Sequence, residues 1–213
     1  MSMADIMKTA LTGFMAIAML GLSGCSTTPA PASKTGVAVV PNSTPIPKGT
    51  LSLPDRVVYA QKDPRWASEM LGTTQGDTLG TDGCLVTAAS MALGNLGFTT
   101  NPSDLNARLT QADSFTPRGW LIWDGIRKVT DNRAQARYYD EVNPEIIQQC
   151  LTDGYYPLVQ FYLPSGRSHW AMIVRYSEQG FHMRDPLRTS NSPLIFPRST
   201  DAFKAVRCVG LTV

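Results

Sequence analysis

Histidine is scarce in this chain: two residues, His169 and His182, among 213. Any mechanism that needs imidazole therefore has few ways to be assembled. Charge is sparse as well, at 17% with a formal net charge of +2, and no Lys/Arg block or aromatic-basic interleaving occurs. That leaves no electrostatic footprint for nucleic acid, and no nucleic-acid partner is expected. Neither HExxH nor Cys-x-x-Cys is present, so the histidines and the four cysteines offer no convergent ligand set, and no metal or other cofactor is expected. The apolar run from Ala10 to Leu22 is too short for a comfortable membrane span. The length suits one domain with appendages and a single core.

What is present begins with an address. Lys8 precedes the apolar run, which has the length of a signal-peptide core, and Leu22-Ser23-Gly24-Cys25 closes it. This segment resembles the lipobox of bacterial lipoproteins. The resemblance implies that residues 1–24 are a signal peptide, that Cys25 is lipidated, and that the membrane is reached through that lipid anchor. Ser26, rather than Asp, implies sorting to the outer membrane, facing the periplasm. Residues 25–55 follow as a tether, rich in Thr, Ala and Ser with Pro29, Pro31, Pro41, Pro45, Pro47 and Pro54 and without apolar periodicity. The folded domain is expected over 56–213.

Within that domain Gly83 to Leu96 is apolar or small throughout and predicts a buried helix, with Gly97 at its C-terminal end. Ser103 to Gln111, capped by Ser103, and Trp120 to Val129 predict two more helices. Asn143-Pro144-Glu145 places a cap before proline and opens a helix to Asp153, stopped by Gly154. Tyr156 to Leu163, His169 to Tyr176, Phe181 to Arg184 and Ala205 to Val213 predict short strands separated by turns, with a Pro/Ser loop over 186–200. Helices first and antiparallel strands second make an α+β domain.

With Cys25 assigned to lipid, Cys84, Cys150 and Cys208 remain. Cys84 stands at the start of the buried helix behind Thr81-Asp82-Gly83. Unpaired amides at a helix N-terminus favour an anion, which makes a thiol there the better nucleophile near neutral pH. His169 opens a strand, and the Ser177 to Gly180 turn should return Asp185 close to it. A carboxylate so placed holds an imidazole in a useful tautomer. His182 competes as a base, but strand alternation puts it on the face opposite Asp185. Trp66, Trp120, Trp123 and Trp170 are either core or groove aromatics, and Trp170, beside His169, is the foremost candidate to touch a substrate. Cys150 and Cys208 either pair, as an oxidising compartment permits, or remain buried thiols.

Tyr59-Ala60-Gln61-Lys62-Asp63-Pro64-Arg65-Trp66, then Leu79-Gly80-Thr81-Asp82-Gly83-Cys84, then His169-Trp170 and Asp185-Pro186 resemble the double-glycine leader-peptidase (bacteriocin-processing) family, in its stand-alone branch. The resemblance spans 56–213. It implies a papain-like cysteine peptidase fold, whose first large helix carries the nucleophile and packs on an antiparallel sheet carrying the histidine. It also implies a peptide or protein substrate, Cys84 as nucleophile, His169 as base and then acid, and Asp185 as its orienter. The family's glutamine six residues before the nucleophile is here Thr78. Gln61, expected at a strand end, is the candidate side-chain oxyanion donor or else a structural residue, with Gln75 in reserve. The second glycine that often follows the nucleophile is Leu85. NlpC-type cell-wall endopeptidases share such a fold but usually carry Asp before the cysteine, where this chain has Gly83. A non-catalytic peptide- or partner-binding module is the third possibility.

Overall fold

The computed structural model of the protein describes residues 49–188, 192–196 and 200–213. The expected signal peptide, Cys25 and the tether as far as residue 48 lie outside the described residues. The architecture is mixed, with helices packed on an antiparallel sheet.

Helix α1 (Leu79–Asp82) is one turn, closed by reciprocal hydrogen bonds between Thr78 and Thr81. Gly83 ends it and caps α2 (Cys84–Asn95), whose residues from Val86 to Leu93 are all buried. A helix without a polar face has to lie inside. Helix α3 (Pro102–Gln111) is capped by Asn101, whose side chain accepts from the Asp104 N–H. The expected cap, Ser103, sits instead within the first turn and donates to Glu69 Oε1 at 2.7 Å, because proline at position 102 makes the residue before it the natural cap. Helix α4 is only Gly125–Val129. The expected start at Trp120 fails because Thr116 to Leu121 folds back on itself, with Gly119 at φ +74° and the Trp120 carbonyl accepting from Thr116 N–H. Helix α5 (Pro144–Thr152) follows its sequence signals: Asn143 caps it and Gly154 leaves it at φ +79°.

Seven strands among the described residues form one antiparallel sheet: β1 (Leu51–Ser52), β2 (Ala134–Tyr138), β3 (Tyr156–Tyr162), β4 (Ser168–Ser177), β5 (Gly180–Arg184), β6 (Leu194–Phe196) and β7 (Phe203–Leu211). The order is β2-β7-β3-β4-β5-β6, and β1 pairs the far end of β4. The chain thus joins the sheet at Leu51, ahead of the expected domain start at 56. Strand β6 lies within the stretch expected as loop, and β2 lies between helices, so the two classes interleave.

Alternation along the strands gives the sheet two faces. Leu158, Met172, Val174 and Val209 pack with α2, α3 and α4 in one core. Val159, Phe161, Ala171, Ile173, Phe181 and Met183 pack with α5 in the other. There Cys150 of α5 and Cys208 of β7, both wholly buried, form a disulfide with Cα atoms 6.1 Å apart.

Candidate active site

Cys84 is 9% exposed and is the first residue of α2. Its neighbour Gly83 is dictated by packing: a Cβ there would stand 2.5 Å from the Leu79 carbonyl oxygen and 2.7 Å from Leu79 Cα. Backbone cannot yield as a side chain can, so the Asp common in NlpC-type enzymes does not fit without moving α1.

His169 is 2% exposed. Its Nε2 lies 2.6 Å from Asp185 Oδ1, and the Phe161 ring meets its edge at 5.3 Å between centroids. Asp185 Oδ1 also accepts from the Leu187 N–H at 2.9 Å. A carboxylate can only accept, so Nε2 donates and Nδ1 is the ring nitrogen left for a second partner. Cys84 is the second group that acts on the ring, raising its pKa. Burial alone pulls the His169 pKa down. Asp185, to which the ring donates, and Cys84 outweigh it and raise the value to about 9. For Asp185, burial pushes upward but the His169 and Leu187 hydrogen bonds prevail, holding the carboxyl below its usual range.

The pairing of His169 with Asp185 depends on one extra residue. From the turn, Ser177↔Gly180, Tyr176↔Phe181 and Arg175↔His182 pair in one register, whereas Ile173↔Met183 and Met172↔Arg184 pair in another. Val174 is the bulged residue between them. In the turn's own register Trp170 and Met172 would share the face of Phe181 and Met183, and His169 would point away from Asp185. The bulge shifts the parity by one, so His169, Ala171 and Ile173 align with Phe181, Met183 and Asp185. Trp170 consequently points to the opposite face, where it packs on Trp123 at 5.7 Å between centroids. Trp66 is core, 2% exposed, and Trp120 is 65% exposed.

Gln61 is not at a strand end as expected: residues 53–60 form no strand, and Gln61 lies in a turn. It is nonetheless 2% exposed. Its main-chain N–H donates to the Pro186 carbonyl at 2.7 Å, and its Nε2 donates to the Gly80 carbonyl at 3.2 Å. An unbroken helix would pair that carbonyl with the Cys84 amide; the break at Gly83 leaves it to Gln61. Gln61 Oε1 is buried without a partner among the described residues. Thr78 is occupied as the α1 cap, and Gln75 is exposed in a bend.

His182 lies apart from this cluster, its Nε2 2.8 Å from Ser177 Oγ across the β4–β5 turn. Burial, with Arg175 nearby, holds its pKa below the ordinary value. One residue unmarked by sequence, Arg167, flanks the cluster. Arg167 Nη2 donates to Asp82 Oδ1 at 2.7 Å and to the Thr81 carbonyl at 3.0 Å, tying the turn before His169 to the helix end before Cys84. Among the described residues no group of three His, Cys, Asp or Glu side chains is placed to hold a metal.

No protein-family model matches the chain, and no curated protein does. Among solved structures it is similar to a protein described as a C39-like peptidase from Bacillus anthracis, with a TM-score of 0.50 and 14% sequence identity. The match covers 75% of this chain and 96% of that one. At that identity the likeness is one of fold: a mixed α and antiparallel β domain built on the plan of that C39-like peptidase.

Proposed function

We propose that this chain is an envelope-anchored lipoprotein cysteine peptidase of papain-like fold, hydrolysing peptide bonds through Cys84, His169 and Asp185. One observation carries the proposal: a buried imidazole hydrogen-bonded to a carboxylate, with its pKa raised further by a cysteine at the head of a helix. The fold shared with a C39-like peptidase supports it.

In the reaction, His169 Nδ1 holds the thiol proton and the sulfur attacks the carbonyl carbon. The oxyanion is met by the Cys84 main-chain N–H and by the second Nε2 hydrogen of Gln61. Collapse expels the amine, protonated by the imidazolium, and leaves a thioester. A water that gives its proton to the same ring then releases the acid and restores the thiol.

The lipobox-like Leu22-Ser23-Gly24-Cys25 supports the anchor and the outer-membrane, periplasm-facing location. The buried Cys150–Cys208 bridge agrees with an oxidising compartment.

A peptide-aldehyde or epoxide probe, applied at neutral pH, tests the chemistry. Labelling of Cys84 that disappears in His169→Ala is expected, together with peptide products lost in Cys84→Ser. A chain that takes no label at neutral pH is a binding module, and products from muropeptides alone would move it to the cell-wall endopeptidases.

A further inference from the structure

Gln61 lies far upstream of Cys84 in sequence, in neither helix nor strand, yet its amide is fixed beside the nucleophile helix. The segment Leu51–Gln61 that delivers it is held along its whole course. Leu51 and Ser52 pair with β4, and the Leu53 N–H donates to the Val174 carbonyl at 2.9 Å. The Pro54 carbonyl accepts from Tyr156 Oη at 2.7 Å. Asp55 receives both Nε and Nη2 of Arg184, at 2.8 and 2.7 Å, with Arg184 6% exposed. Asn95 then substitutes for a neighbouring strand: its Oδ1 accepts from the Arg56 and Val57 N–H groups, and its Nδ2 donates to the Val57 and Met91 carbonyls.

The two grips are placed with respect to the reacting groups. Asn95 is the last residue of the helix whose first residue is Cys84. Arg184 immediately precedes Asp185. Each wall of the site thus holds the strap that carries the third element, Gln61, and a shift of either wall carries the strap with it.

We propose that Asn95 and Arg184 are positioning residues that act through Gln61, clamping the Leu51–Gln61 strap so that the Gln61 amide stays in register with Cys84. This rests on Gln61 being the oxyanion donor. Asn95→Asp keeps the shape and the acceptor but loses the Nδ2 donor to Val57 and Met91, and is the first variant; Arg184→Lys, which cannot chelate both Asp55 oxygens, is the second.

On the full chain with a fluorogenic peptide, Asn95→Asp should lower kcat at least about ten-fold, a fraction of the roughly hundred-fold loss for an oxyanion donor. KM should stay within about two-fold. The rate of Cys84 alkylation by iodoacetamide, which needs the thiol and His169 but no oxyanion hole, should likewise stay within about two-fold. In a Gln61→Ala background the same substitution should lower kcat no further, since the group it positions is gone. A further loss in that background, or alkylation slowed in proportion to kcat, overturns the proposal. A second readout is independent of activity. The side-chain amide cross-peaks of Gln61 in 15N-labelled protein, assigned by their loss in Gln61→Ala, should move in Asn95→Asp and Arg184→Lys. Unmoved peaks overturn the positioning role, whereas a wild-type chain that cleaves no peptide while the peaks move overturns the peptidase assignment alone.

Discussion

His169 Nε2 and Asp185 Oδ1 lie 2.6 Å apart, although the hairpin turn joining their strands would by itself put the two side chains on opposite faces of the sheet. Val174, the one unpaired residue of the β4–β5 ladder, reverses the parity. Deleting Val174 leaves every observed β4–β5 pair in one continuous register, so His169 should stay beside Asp185, with hydrolysis and probe labelling of Cys84 retained. Val174→Ala, which keeps the bulge and trims a buried side chain, should retain the active site while costing about 1–3 kcal/mol of stability. Probe labelling and denaturant melts of the two variants decide it; a folded deletion variant that no longer labels at Cys84 would show that Val174 is not simply the extra residue of the ladder.

The same pair predicts a pH signature. The folded pKa of His169, raised to about 9 by Asp185 and Cys84 against burial, exceeds the unfolded value of roughly 6.5. Its stabilisation is thus complete below about pH 6.5 and fades as pH rises through about 9. Asp185, whose carboxyl is held low, contributes above its unfolded pKa and loses that contribution as pH falls through the folded one. The difference in Tm between wild type and Asp185→Asn should peak between about pH 5 and 6.5 and shrink toward pH 10. A difference constant from neutral to alkaline pH would contradict this assignment of charge.

Gly83→Ala should destabilise by about 1–3 kcal/mol, because the new methyl meets Leu79 backbone rather than a movable side chain. Gly76→Ala, at φ +94° in open space, separates conformational strain from collision and should cost about 1 kcal/mol. Equilibrium unfolding in urea compares them, and equal losses would argue against the collision.

Removing the bridge between Cys150 and Cys208 as a double alanine variant should lower stability by about 4 kcal/mol, from the loop closure that a separation of 58 residues implies. Wild type and variant should converge in Tm once reductant is present in the denaturation buffer. A variant that melts with oxidised wild type would mean the link does nothing for the fold.

The sequence was most legible where chemistry is local. Asn143-Pro144 and Gly154 marked α5 because cap, fixed φ and left-handed stop all act within one turn. The burial of α2 was legible because no side of it is polar. Strand β2, Ala-Gln-Ala-Arg-Tyr, was not, since it lacks β-branched residues and exists because β7 offers it a partner. Residues 51–55 read as tether because prolines suggest an unpaired chain, whereas their partners Tyr156 and Arg184 are more than a hundred residues away. Cys84, His169 and Asp185 were picked out by type and chain order; the bulge that brings His169 to Asp185, and the Arg167 link to Asp82, depend on register and left no trace in composition.

The Cys150–Cys208 link also makes a covalent ring that holds His169 and Asp185 and leaves Cys84 and Gln61 on the arm outside it. A single protease nick in the exposed turn at Ser165-Gly166 would open the ring without releasing a fragment. Such a nicked chain would migrate as one species on a gel run without reductant and separate into two with it, so cleavage of the turn and loss of half the site are distinct events.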